Sequence, residues 1–253
     1  MRTETSAGRG SATVRGALEA ELDSARAGGI EQPHVVDVGG GSGVWAVPFA
    51  VSGCRVTVVE PNPNALATLR RRAGEEGVAD RITAVADDSD ALGAHVSAGS
   101  ADLILAHGLL EVVDDPQRAV GALVTALAPA GALSVLAVNR YAAVLHRALA
   151  SRFSEARSLL DAADGVLPED GETVLRRFGR AELEVLLSSG GLEITSLHGD
   201  GVVSDIVAAR EAEGREGVAS WDAELTEFEA MAASVPALRD VASRLHVLAR
   251  KPS

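Results

Sequence analysis

The chain has 253 residues, 47% of them hydrophobic but only 3% aromatic, which suits one large α/β domain with an aliphatic core and argues for close-packed layers rather than an aromatic-lined binding face. A net charge of −13, with pI near 4.9, disfavours non-specific attachment to nucleic acid or membrane. Cys54 is the only cysteine, which excludes an internal disulfide and a cysteine zinc site, and Lys251 is the only lysine among 23 basic residues.

Residues 1–12 are small and polar and are expected to be disordered, with no apolar core like that of a signal peptide. No stretch approaches the roughly 18 uninterrupted apolar residues of a membrane span, so the expectation is a cytoplasmic protein that binds no membrane. Over 14–27, Val14, Leu18, Leu22 and Ala25 share one face of a helix that stops at Gly28-Gly29. A regular alternation follows: strand 34–38, helix 44–51, strand 54–60, and helix 62–76 capped by Asn62 or Asn64. Strand 81–86 comes next, then one helical turn over 90–94, strand 101–107, helix 116–127 opening on Pro116, and strand 131–138. Strands separated by helices of about a dozen residues make βαβ units and a parallel sheet covered on both faces. After Asn139 the rhythm breaks into one helical stretch over 140–163, a polar loop, helix 180–189, strand 192–198, an acidic helical segment over 205–243 and a closing strand over 243–252.

The run "VVDVGGGSGVWAVPFA", residues 35–50, places its glycines where a strand hands over to a helix. Ligands of parallel sheets bind there, because glycine lets the backbone approach them and the next helix offers free N–H groups. Two registers compete. Gly41-x-Gly43-x-x-Ala46 matches the dinucleotide fingerprint but leaves Gly39 and Gly40 without a purpose. Asp37-x-Gly39-x-Gly41-x-Gly43 uses every odd-numbered glycine and is similar to the D/E-x-G-x-G-x-G pattern of class I methyltransferases that bind S-adenosylmethionine. Glu60 closes the second strand, where a carboxylate accepts from both hydroxyls of a nucleoside ribose, so it supports a nucleoside without choosing between the two. The plain alternative is a solvated acid at a strand end. An NAD-type oxidoreductase would need a Tyr/Lys or His/acid pair, and the chain has one tyrosine and one lysine. A non-catalytic binder that kept the fold is the third option.

"ADLILAHGLLEVVDDPQRAVGALVTALAPAGALSVLAVN", residues 101–139, resembles the central stretch of the bacterial tRNA 5-carboxymethoxyuridine methyltransferase family, with His107, Leu110, Glu111, Val113, Asp115 and Pro116 on its motif positions. The similarity continues through 145–153 and 246–252, is patchy from 155 to 243, and departs at Pro129-Ala130-Gly131, where the family has Pro-Gly-Gly. The resemblance implies a doubly wound, Rossmann-like α/β fold with a seven-stranded, mainly parallel sheet and an antiparallel C-terminal strand. The expected organisation is one domain over 13–253 with helical cap insertions near 140–178 and 205–243.

It also implies roles. Gly39, Gly41 and Gly43 would admit the methionine end of S-adenosylmethionine, with Asp37 near its ammonium group and Glu60 on its ribose. Asp87 or Asp88, with Ser89, would meet the adenine amino group, unless the "DDSD" run simply caps a helix. His107 would stand beside the sulfonium as the base for an amine or phenol acceptor, or as a structural histidine bonded to backbone at the pocket floor. His107-x-x-x-Glu111 lacks a third ligand, so no metal is expected. Between 140 and 157 four arginines face one acid, Glu155, which suggests a pocket for an anionic substrate with Arg140, Tyr141 and Arg147 as its residues, against the alternative of a helix whose arginines face water. The substrate is then a carboxylate or other nucleophile, on a modified tRNA uridine or on a small metabolite.

Overall fold

The computed structural model of the chain describes residues 12–162, 165–166, 176–205 and 222–253. The expectation of disorder over 1–12 lies outside the described residues for 1–11 and is corrected at Ala12, which already begins a helix; most of the loop over 164–173 and residues 206–221 of the acidic segment also lie outside them.

Helix α1 (Ala12–Ala27) buries Val14, Leu18 and Leu22, as its spacing requires. Strand β1 (His34–Val38) is buried along its whole length and leads to α2 (Ala46–Val51). This helix starts two residues later than the apolar pattern suggests, so Val44 and Trp45 belong to the loop after β1. β2 (Arg55–Val59) precedes α3 (Pro63–Glu75), whose N-cap is Asn62; its side-chain oxygen accepts from the N–H groups of Asn64 and Ala65. β3 (Ile82–Val85) is followed by a 3-10 turn over Ser89–Ala91 and the single turn α4 (Leu92–His95). β4 (Ala101–His107) has its expected bounds, and α5 (Pro116–Ala126) is capped by Asp115.

β5 (Leu127–Val138) starts four residues earlier than expected. Its first residue pairs with Ala101 while Ala132 already pairs with Leu103, so the intervening residues bulge, with Ala130 at φ +59°. The single helix expected over 140–163 is two, α6 (Arg140–Leu149) and α7 (Phe153–Asp161). Ser151 sits at φ +61°, and the N–H groups of Ser151 and Arg152 reach back to the carbonyls of Ala148 and Arg147, a left-handed stop that ends α6 despite its continuous apolar pattern. α8 (Arg180–Ser189), β6 (Glu193–Asp200), α9 (Asp222–Ala232), α10 (Pro236–Arg239) and β7 (Arg244–Arg250) complete the described chain.

The sheet has seven strands in the order β3-β2-β1-β4-β5-β7-β6, and the pairs β1–β2, β2–β3, β1–β4 and β4–β5 are parallel. β7 is antiparallel: Asn139 N–H bonds to Ser243 and Lys251 N–H to Gly131, so partner numbers fall along β7 as they rise along β5. The Lys251 ammonium also donates to the carbonyls of Val124 and Leu127 at the end of α5, where a cation complements the helix dipole. The chain divides into two compact units, one of Ala20–Leu136, Glu184–Ser196 and Leu248–Ser253, the other of Met1–Glu19, Ala137–Leu183 and Leu197–Val247. Both segments expected as insertions, 140–178 and 205–243, fall within the bounds of the second. No described helix is long and apolar enough to cross a membrane.

Candidate active site

The strand order reverses between β1 and β4, and the loop after β1 lies at this switch point, where open α/β sheets bind ligands. Gly39, Gly41 and Gly43 have φ of +73°, +55° and +77°, a region other residues enter only with strain. Gly43 has a second reason to be glycine, since a Cβ there would overlap the Leu69 side chain of α3. Gly40, which neither sequence register explained, is set by space: a Cβ would stand 2.5 Å from Asp37 Oδ2 and 2.9 Å from Val58.

Asp37 lies directly beneath this loop, 1% exposed, and its Oδ2 has no hydrogen-bond partner among the described residues. Burial first, and the neighbouring Glu60 carboxylate second, push its pKa up to about 7. Glu60, also buried, accepts from Gly41 N–H at 3.0 Å and from Asn62 N–H at 2.8 Å. Each carboxylate oxygen thus holds one backbone donor and keeps acceptor capacity for another.

Beside the loop opens a cleft of about 550 Å³ whose lining includes Gly39, Glu60, Pro61, Asp88, Ser89 and Leu109. Asp37, Gly41, Gly43, Asp87 and His107 are not on its lining. Asp88 both faces the cleft and caps the 3-10 turn, its Oδ1 accepting from Ser89 Oγ at 3.0 Å and from Asp90 N–H. Asp87 is paired with His95 Nε2 at 2.7 Å, which with the Asp88 N–H lowers its pKa. The capping and the cleft-lining readings of "DDSD" therefore both describe Asp88, while Asp87 is held by a histidine the sequence reading did not name.

His107 closes β4. Its Nε2 is 2.8 Å from the hydroxyl of Ser134 on β5, and its ring meets Trp45 edge-on, with centroids 4.9 Å apart and planes at 81°. The partner at Nε2 is thus a side-chain hydroxyl and not the backbone. Neither Trp45 nor Ser134 was singled out from sequence. One of only two tryptophans directly after a glycine loop, and a lone hydroxyl inside an apolar strand, are the marks by which they could have been found.

Arg140, Tyr141 and Arg147 belong to the other compact unit. Arg140 is buried; its Nη1 donates to the Ala162 carbonyl at 2.7 Å, Nη2 pairs with Glu182, and the guanidinium stands 5.3 Å from the centre of the Tyr141 ring. Arg147 is buried too, 3.4 Å from Glu155 and donating to the Ala143 carbonyl. Both guanidiniums are engaged inside the protein, and α6 exposes Tyr141, Leu145 and Leu149 at four-residue spacing together with His146, followed by Phe153.

Residues 12–197 match the family described as Methyltransferase domain. The chain is 29% identical over 125 residues to the tRNA 5-carboxymethoxyuridine methyltransferase of Escherichia coli K12, covering 49% of this chain and 48% of that protein. It is 29% identical over 168 residues to a ubiquinone biosynthesis O-methyltransferase of Xanthomonas axonopodis pv. citri, covering 66% and 65%. The chain thus spans about half to two-thirds of the length of these curated relatives. Among solved structures, a SAM-dependent methyltransferase from Methanosarcina mazei has the same fold, with TM-score 0.58 and 19% identity over 88% of this chain and 93% of that one.

Proposed function

The chain belongs to the methyltransferase-domain family, and from that premise we propose that it transfers a methyl group from S-adenosylmethionine to an oxygen or nitrogen nucleophile of a small molecule. The residues present suit this cofactor. Asp37 offers a buried carboxyl oxygen without a partner, the complement of an ammonium group; Glu60 keeps acceptor capacity for two vicinal hydroxyls; and Gly39 lines the cleft with no Cβ to block it.

When bound, the cofactor supplies a methyl group on a sulfonium, already a good leaving group. The protein is left with binding, orientation and exclusion of water, which are worth about 7–11 kcal/mol where geometry is right. Glu60 orients the ribose and Asp37 the amino-acid end. A phenol or amine acceptor has to lose a proton; His107 is the candidate to take it, while its bond to Ser134 and its place off the cleft lining suit the structural role equally, and a carboxylate acceptor needs no base.

The state of the arginines carries the choice of acceptor. Arg140 and Arg147 are engaged with Glu182, Glu155 and backbone carbonyls, and α6 exposes Tyr141, Leu145 and Leu149 with His146 as the one ionisable side chain among them. In a chain of net charge −13 this favours a small acceptor of low charge over a nucleic acid. A second reading, methyl esterification of a tRNA carboxymethoxyuridine, is favoured by the motif run over 101–139 and by the similarity to the Escherichia coli protein. Incubation with methyl-labelled S-adenosylmethionine and separated tRNA and metabolite fractions from the host decides between them. Label in the metabolite fraction supports the proposal; alkali-labile label in tRNA replaces it with the second reading.

A further inference from the structure

We infer that the side chains of Asp200, Arg244, His198 and His246, at the end of β6 and the start of β7, form a binding site for a small amine with an oxygen beside its nitrogen, an amino alcohol in chemical class. The site lies within the second compact unit and does not depend on the cofactor assignment.

The two strands set the array. β6 ends at Asp200 and β7 begins at Arg244, and the Ser243 N–H bonds to the Gly201 carbonyl at 2.9 Å. That register brings Asp200 opposite Arg244 and, two residues along the same face, His198 opposite His246. Both contacts form: Arg244 Nε donates to Asp200 Oδ2 at 2.6 Å, and the two imidazoles stack with centroids 6.4 Å apart. The array also stands where β5 ends, since Asn139 N–H bonds to the carbonyl of the same Ser243, and open α/β sheets take their ligands at that edge.

The pairing leaves hydrogen-bonding capacity over. Asp200 Oδ1, Arg244 Nη2 and His198 Nδ1 are buried and have no hydrogen-bond partner among the described residues. Each such atom costs stability for as long as its bond stays unmade, and three in one array mark a place that receives a polar group. Asp200 offers an acceptor and Arg244 a donor, so the group must bring both an N–H and an oxygen.

Its charge follows from the surroundings. Asp205 Oδ2 lies 3.3 Å from where a Cβ on Gly201 would stand, directly past Asp200, and Glu229 accepts from the N–H groups of Val202, Val203 and Ser204. Burial would lower the pKa of Arg244, yet the carboxylates of Asp200, Asp205 and Glu229 raise it. Arg239, the cation that acts on His198, is itself paired with Asp240 at 2.8 Å. A field set by three carboxylates around one guanidinium favours an ammonium over a carboxylate. His198 and Arg244 are partly exposed and give access, while the Asp200 side chain has no exposed surface.

Nuclear magnetic resonance on the nitrogen-labelled full chain tests the site at about pH 7.5, where Asp200 is ionised. Ethanolamine is the probe, ethylene glycol the control without an amine, and glycolate the control with a carboxylate in its place. Ethanolamine should shift the His198 ring and Gly201 amide signals saturably, and neither control should. Asp200→Asn, which keeps the shape of the side chain, should weaken ethanolamine about tenfold or more. Asp205→Asn, which leaves the buried pair untouched, should weaken it by about threefold. Orphaned atoms met by ordered water only would leave His198 indifferent to all three probes, and that result overturns the inference. So does an equal response to glycolate, or an ethanolamine affinity unchanged in both variants.

Discussion

At the scale of single residues, Asp37 gives the candidate site its pH dependence. Its folded pKa is raised to about 7, so below that value the carboxyl holds a proton. A cation bound beside it favours the ionised form, and binding below pH 7 therefore releases a proton. The sign follows: affinity for S-adenosylmethionine rises with pH, by up to about tenfold per unit, and levels off above about pH 7. Calorimetry between pH 5.5 and 8.5, with Asp37→Asn as the flat reference, checks it. For the free protein the same raised pKa works the other way on stability. The contribution is full below the unfolded value of 3.8 and is lost as pH rises through 7. Glu60→Ala should weaken cofactor binding about 30-fold or more, since it removes charge-assisted bonds to the ligand and leaves the N–H groups of Gly41 and Asn62 without their acceptor. An unchanged dissociation constant would remove Glu60 from the site.

At the scale of elements, the close meeting of the glycine loop and α3 gives a stability prediction. Gly43→Ala introduces a Cβ at φ +77° that overlaps Leu69, and should cost about 2–4 kcal/mol in denaturant unfolding. Adding Leu69→Ala should remove the steric share and leave the backbone share. Elements with a single dominant cue were legible in the sequence: β1 and β4 from their apolar runs, the α3 start from the Asn62/Asn64 cap pair, the α5 start from Pro116, and the switch-point loop from its glycines. Three things were not. The break at Ser151 comes from a left-handed residue that is not glycine, inside a pattern that otherwise continues. The engagement of Arg140 depends on Glu182, 42 residues away, which no local charge count detects. Trp45 precedes α2, His107 closes β4 and Ser134 lies within β5, and only folding brings them together.

At the scale of the whole molecule, titration of the buried groups shapes acid stability. His246 is fully buried and stacked on His198; burial first, and then His198, lower its pKa to about 3. A depressed histidine contributes stability above the unfolded value of 6.5 that is lost as pH falls toward 3. Asp200, pushed up to about 6 by burial against the opposing pull of Arg244, acts with the other sign between 3.8 and 6, so the two partly offset each other. Comparing His246→Leu with wild type isolates the histidine: relative to the pH 8 difference, the variant should gain up to about 1.4 kcal/mol per pH unit below 6.5. A pH-independent difference would exclude this origin. The net charge of −13 makes a further global prediction, that binding of bulk tRNA is weak at about 0.15 M salt and shows a shallow salt slope, readable by filter binding.

The hold on Lys251 has a practical side. It is the chain's one ε-amine, and its nitrogen already donates to two carbonyls at the end of α5. Acylating dyes, cross-linkers and activated resins therefore meet no unengaged side-chain amine on this protein. A reagent that does modify position 251 must first pull the ammonium off those carbonyls, so the rate of acylation there would report how often the last turn of α5 lets go.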